Sequence, residues 1–221
     1  MEAHKVLRSA GYKVRSYGTG SSVRLPGPTI DKPNVFPFTT PYTKILSTLK
    51  SQDTKMHKLT GVLEMTQRNV DVKKAPERWP FFNQPPQRLP DSEWSALGFE
   101  DELDFDIVVT CEERCFDSVV DDFLARAYFE GGDTLTGRTV HCFNVEIRDE
   151  HQTALIGGKA ILKLADLLSE CHRASLEWMN SKDENSDLLD VVPFEDRIPD
   201  AITKWQAEHP NLPLLYCVCY H

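Results

Sequence analysis

The sequence predicts an α/β fold, a parallel sheet flanked by helices, and three observations carry that reading. Ile107, Val108 and Val109 form a continuous apolar run inside DFDIVVTCEER, the pattern of a strand buried on both faces. TVHCFNVEI, beginning at Thr139, repeats it. Each run is followed by a stretch at helical spacing, CFDSVVDDFLARA and HQTALIGGKAILKLADLLSECH, and strand, helix, strand, helix is the order of parallel strands covered by helices.

The remaining elements follow in chain order. MEAHKVLRSAG places Ala3, Val6, Leu7 and Ala10 at i, i+3, i+4 and i+7, with Gly11 at the position of a C-terminal cap. No Ser, Thr, Asp or Asn precedes the first periodic residue, so this helix is expected to take its N-terminal cap from something upstream. YKVRSYGTG alternates and ends in glycines, which predicts a short strand running into a turn. SSVRLPGPTIDKPNV is crowded with Pro and Gly and reads as extended or turning backbone. Residues 41–51 predict a helix with Pro41 in its first turn, and a weaker helix covers about 57–68. From Pro76 to Pro90 five prolines stand among aromatics, and residues 79–104 read as an irregular surface insertion. Thr110 and Glu113 have capping-box spacing at the start of the next helix. Residues 180–200 are strongly acidic and read as a solvated linker, followed by a helix over about 196–208 and a last strand, LLYCVCY.

Composition narrows the function. One domain is the default for 221 residues with 40% hydrophobic content, and a net charge of -9 argues against a nucleic-acid-binding surface. No run of eighteen apolar residues exists to span a membrane. With no signal-peptide pattern ahead of them, the six cysteines read as reduced thiols of the cytosol or nucleus. Their spacings, EER between Cys111 and Cys115 and a single Val between Cys217 and Cys219, do not complete a four-ligand zinc set.

In open α/β sheets the site lies at the carboxyl ends of the strands, here TCEER after Val109 and EIRDEH after Val145. Arg148 and Asp149 are the groups best placed there to act on an anion or a proton. On residue type alone, an N-terminal cap for the following helix is the more common role for Asp149. CFNVEIR, Cys142 to Arg148, has the Cys-five residues-Arg spacing of phosphatases with a cysteine nucleophile, but the match fails chemically. A phosphate loop aims successive backbone N–H groups at one anion, whereas this segment holds β-branched Val145 and Ile147 and would set Glu146 against the phosphate.

GYKVRSYGTGSSVRLPGPTIDKPNV, TCEER, NVEIRDEHQTA and the terminal CVCY, taken in order, resemble the suppressor-of-sua phosphatases that act on the C-terminal domain of RNA polymerase II. The resemblance implies a low-molecular-weight tyrosine phosphatase-like fold and removal of phosphate from the fifth-position serine of the polymerase heptad. It implies a nuclear protein acting in transcription termination and mRNA 3'-end processing, with the cleavage and polyadenylation scaffold as partner. No metal or organic cofactor is implied, and neither nucleic acid nor membrane is a direct partner. Asp149 matches the general acid; Arg24, Leu25 and Pro26 match one wall of the substrate groove, and Met65 matches the other. Met65 alone would equally be core filler. The family has Asp where Glu146 stands. Its nucleophile loop, Cys-x-x-Asn-x-Asn-Arg-Ser, immediately precedes a Met-Glu-Ala-His, so the first, central strand and the catalytic cysteine are expected ahead of Met1 and the chain alone is expected to be inactive. The other reading is a non-catalytic binding module of the same machinery.

Overall fold

A computed structural model describes residues 1–29, 31–89, 105–129, 138–148, 150–180 and 192–220. The helices are α1 (Glu2–Ser9), α2 (Tyr42–Leu59), α3 (Val62–Val72), α4 (Glu113–Phe129), α5 (His151–Asn180) and α6 (Phe194–Glu208). The strands are β1 (Val23–Thr29), β2 (Lys32–Phe36), β3 (Ile107–Thr110), β4 (Thr139–Val145) and β5 (Leu214–Tyr220).

β4 is almost wholly buried because it runs between its two neighbours and both of its faces are covered. It pairs in parallel with β3, Val109 opposite Phe143, and antiparallel with β5, Cys142 opposite Cys217. The sheet is therefore mixed: the α/β class stands, and the last strand departs from the all-parallel expectation. A short C-terminal strand that follows α6 at the β4-exit end of the sheet can return only antiparallel, since a parallel pair needs a longer crossover.

Alternation along β4 sorts its side chains between two cores. Phe143 and Val145 face Ile161, Leu164 and Leu168 of α5 and Ile198, Ala201 and Trp205 of α6, with Ala3 and Leu7 of α1 packed alongside. Val140 and Cys142 face Val119 and Phe123 of α4 together with Trp79 and Cys219. Trp205 is fully buried, and its indole N–H finds the Ala160 carbonyl at 2.7 Å, which docks α6 on α5. A third, smaller core of Tyr42, Ile45, Leu49 and Val62 holds α2 against α3 beside the β1–β2 hairpin.

Several local expectations change. Residues 12–17 form no strand; the chain makes a single bridge, Gly18 with Arg78, while the Pro-rich segment after it forms the hairpin. Proline is compatible with this hairpin because a two-stranded sheet is all edge. At its centre the backbones approach so closely that a Cβ on Gly27 would fall 1.8 Å from the Lys32 carbonyl oxygen. α2 runs past its expected end through a kink at Asp53 (φ -150, ψ 91), whose Oδ1 accepts the Met56 N–H at 2.9 Å and starts the helix again.

The proline-rich segment begins as core. Trp79 is buried, and its indole N–H donates to Asp122 Oδ2 at 2.9 Å. Asp122 Oδ1 accepts the Phe82 N–H at 2.6 Å, and Arg126 pairs with Asp122 at 3.0 Å while also donating to the Pro80 carbonyl. The irregular backbone is thus pinned on α4, while residues 90–104, the rest of the expected surface insertion, lie outside the described residues. At the other acidic stretch, α6 starts at Phe194 with Glu195 and Asp196 in its first turn, where the helix dipole favours negative charge. The end of the expected 180–200 linker is therefore helical, and 181–191 lie outside the described residues.

Candidate functional site

Parallel pairing puts the carboxyl ends of β3 and β4 side by side, and two hydrogen bonds lock their exits together. The Ile147 N–H donates to the Cys111 carbonyl at 3.1 Å. Glu146 Oε2 accepts the backbone N–H of Glu113 at 3.0 Å and the Asn144 amide at 3.2 Å. α4 is therefore capped from the neighbouring strand exit and not by Thr110. The Thr110 hydroxyl turns inward instead, donating to Asn144 Oδ1 at 2.8 Å, so the capping-box expectation fails because a buried hydroxyl takes the partner its strand neighbour offers.

Past Ile147 the chain enters α5. The Arg148 carbonyl accepts the Glu150 N–H at 2.8 Å and the Thr153 hydroxyl at 2.6 Å, and the Arg148 side chain is exposed. Asp149 itself lies outside the described residues. Cys142 is buried within β4, as a strand residue rather than part of a phosphate loop.

α1 meets the same end of the molecule. A Cβ on Gly157 would fall 2.3 Å from Ile147 Cδ1, and one on Gly158 would lie 3.2 Å from Glu2 Cγ. Two adjacent α5 glycines thus bring the β4 exit and the first turn of α1 onto one helix, and no side chain caps α1. Beneath that turn lies a polar cluster that the sequence does not announce. Glu2 pairs with Arg68 at 3.1 Å, and His4 Nδ1 lies 2.8 Å from the Ser16 hydroxyl. Lys73 Nζ donates to Glu77 Oε2 at 2.6 Å and to the Ser16 carbonyl at 2.7 Å. Burial, with the Lys73 ammonium next, pushes the His4 imidazole down to about 4. Burial also lowers Lys73, against the pull of Glu77. The polar groups beneath α1 are thus a neutral imidazole and a buried Lys–Glu pair whose opposite charges offset each other.

The expected groove residues fall on the hairpin and α3. Arg24 and Pro26 are exposed on β1, and Asn34 donates to the Pro26 carbonyl at 3.1 Å. Leu25 and Met65 are half-buried against the same small core, so the structure brings them together, and Met65 is part filler and part surface. Among the described residues no group of three or more His, Cys, Asp or Glu is arranged to hold a metal ion, and no helix is long and apolar enough to cross a membrane.

Reading the sequence alone misses the Glu146 cap, the Asp122 hub and the Lys73–Glu77 pair. The i, i+4 spacings of Lys73 with Glu77 and Asp122 with Arg126 are visible there, but surface pairs show the same spacing. Glu146 acts across two strands, and no local pattern announces that.

The chain matches the Ssu72-like protein family along residues 1–221. It is 45% identical over 221 residues to the Candida glabrata protein SSU72, named as an RNA polymerase II C-terminal domain phosphatase, covering all of this chain and 90% of that one. The Eremothecium gossypii protein of the same name is also 45% identical, and there the match spans 66% of the relative's length. Among solved structures, the serine phosphatase of RNA polymerase II CTD from Drosophila melanogaster superposes with a TM-score of 0.71 at 30% identity, covering 100% of this chain and 92% of that one. The D. melanogaster Ssu72–Symplekin complex, bound to a cis peptidomimetic CTD peptide phosphorylated on its fifth-position serine, gives 0.70 at 28% identity, covering 100% and 90%.

Proposed function

This chain belongs to the Ssu72 family, and we propose that it forms the body of a cysteine-dependent phosphatase that removes phosphate from serine in the C-terminal repeats of RNA polymerase II. The observation that carries this reading is the convergence of the β3 exit, the β4 exit and the first turn of α1 at one end of the sheet. The first turn of a helix turns N–H groups and the positive end of the dipole toward an anion, which suits a phosphate.

A phosphocysteine mechanism needs a thiolate facing the phosphorus, with amides around the equatorial oxygens. Cys142, Cys217 and Cys219 lie within β4 and β5 and not on a loop at the strand exits, Cys171 contacts the Arg197 carbonyl, and Cys115 accepts from the Thr19 hydroxyl at 3.3 Å. Cys111 is exposed, but the next two residues are Glu112 and Glu113, which would set carboxylates against a phosphate bound there. We therefore assign the attacking thiol to the family's loop, Cys-x-x-Asn-x-Asn-Arg-Ser, which this sequence does not contain. β3 is an edge strand among the described residues, and a strand leading into that loop is proposed to pair beside it. Asp149, which follows β4 in the sequence, is assigned the proton transfer to the leaving serine oxygen and then from the attacking water.

Arg24, Leu25, Pro26 and Met65 are proposed to line the groove that receives the peptide around the phosphoserine. The fifth-position serine of the heptad is the proposed target, in line with the phosphorylated peptide of the Drosophila complex. A cleavage and polyadenylation scaffold of the Symplekin kind is the proposed partner, and the nucleus is the proposed site of action.

The test joins Cys-x-x-Asn-x-Asn-Arg-Ser and its preceding strand directly to Met1 and compares heptad peptides phosphorylated at the fifth or the second serine. The expected result is phosphate release from the fifth-serine peptide at least about tenfold faster, a difference of about 1.4 kcal/mol in the barrier. Equal release from both overturns the substrate assignment. Peptide binding without turnover favours the non-catalytic binding module.

A further inference from the structure

Three of the six thiols share one face of the sheet, at a place the phosphatase reading does not use. Cys142 of β4 stands directly opposite Cys217 of β5, so the two project to the same side. Cys219, two residues further along β5, projects there too. All three pack in the core formed with α4 and Trp79, where Cys142 and Cys219 are buried and Cys217 is half-exposed. The Cys217 S–H donates to the Val218 carbonyl at 3.5 Å. All three are free thiols.

We propose that this cluster is a site of reversible oxidation by small hydroperoxides, in which Cys217 and Cys142 close a disulfide across β4 and β5 while Cys219 stays reduced. Directly opposed residues of an antiparallel pair have Cα atoms about 4.5 to 5.5 Å apart, inside the range of about 4.4–6.8 Å that a disulfide needs. The diagonal pair, Cys142 with Cys219, lies at about 7–8 Å and falls outside it. Cys217 is the thiol that solvent reaches.

Burial pushes the Cys217 thiol up, so it must shed its proton to solvent before it attacks. In the first step the Cys217 thiolate attacks one oxygen of the peroxide. The O–O bond breaks, leaving Cys217 as a sulfenic acid, and the released hydroxide takes up the proton that Cys217 shed and becomes water. The Cys142 thiol then attacks the Cys217 sulfur, the S–O bond breaks, and the leaving hydroxide takes the Cys142 proton. Two thiols lose two electrons in all, and the peroxide becomes two waters.

The experiment treats the reduced 221-residue chain with hydrogen peroxide, blocks remaining thiols with iodoacetamide, and maps linked peptides without reduction. The expected product is a Cys142–Cys217 peptide, with two of the six thiols lost and both recovered with dithiothreitol. Cys217→Ser, at a half-exposed position that tolerates a hydroxyl, abolishes the link. Cys219→Ala leaves the link. A bond joining any other pair overturns the proposal, as does Cys217 advancing to sulfinic acid while Cys142 stays reduced.

Discussion

Glu146 Oε2, just past the end of β4, accepts the backbone N–H of Glu113 at 3.0 Å, so one strand's exit caps the helix that follows its neighbour. The bond ties together the two loops that build the proposed site, and a carboxylate at a helix N-terminus also meets the favourable end of the dipole. Glu146→Ala is expected to lower the unfolding free energy by about 1 kcal/mol in urea titrations, the usual effect of losing a cap. Glu146→Gln, which keeps an acceptor oxygen, is expected to lose less than half as much. An Ala variant as stable as the parent chain would show that the cap carries no weight.

Asp122 is the larger structural commitment. Its buried carboxylate accepts from the Trp79 indole, the Phe82 amide and the Arg126 guanidinium at once. Asp122→Ala strands a buried cation and an indole N–H, and is expected to lower stability by about 3–5 kcal/mol. Asp122→Asn keeps one acceptor oxygen, so the Phe82 amide or the Trp79 indole retains its bond, and it is expected to cost less. Thermal unfolding of the two variants side by side checks the order.

The two α5 glycines make a matched pair. At Gly157 a methyl group would fall 2.3 Å from Ile147 Cδ1, whereas at Gly158 it would lie 3.2 Å from the Glu2 side chain. Gly157→Ala is expected to destabilise by about 1–3 kcal/mol and to push the β4 exit outward. Gly158→Ala is expected to be near neutral, because helix propensity offsets the tighter contact. Equal effects from both would mean that Ile147 yields freely.

His4 sets a pH dependence with a definite sign. Its folded pKa, about 4, lies below the ordinary value of 6.5, so below pH 6.5 the unfolded chain takes up a proton that the folded chain refuses. Its contribution is present in full above pH 6.5 and is lost as the pH falls toward about 4, with no further change below that. Unfolding free energies of the parent and of His4→Asn, measured between pH 7 and pH 4, are expected to converge on acidification. A constant gap would place the titration elsewhere.

The sheet and its covering helices are legible in the sequence because buried strands and amphipathic helices write themselves into residue order. Ile107–Val109 and the strand at Thr139 stand out from apolar runs alone, and the loops at their carboxyl ends are where chemistry is expected. Thr110 departs from its capping-box pattern because that pattern is local, and here a cross-strand carboxylate performs the same task. Residues 12–17 alternate like a strand but find no partner beyond the single bridge at Gly18. The hairpin is hidden because Pro and Gly suppress a strand reading, although both are tolerated where every strand is an edge. Trp79 reads as part of an exposed insertion until Asp122, 43 residues away, supplies its partner.

The end of the sheet where β3, β4 and α1 meet is proposed as a phosphoserine site whose acid is Asp149 and whose thiol comes from the family's loop. Serine is a poor leaving group that needs its oxygen protonated, while p-nitrophenolate leaves almost unaided. The decisive quantity is kcat/KM, which reports transfer to the thiol and not the later hydrolysis, for Asp149→Asn against the parent, both carrying the loop ahead of Met1, on a phosphoserine heptad peptide and on p-nitrophenyl phosphate. A loss of about 10²–10⁴-fold is expected on the peptide, and a much smaller loss on the aryl phosphate. Equal losses on both substrates, or turnover by the 221 residues without the loop, would contradict the assignment.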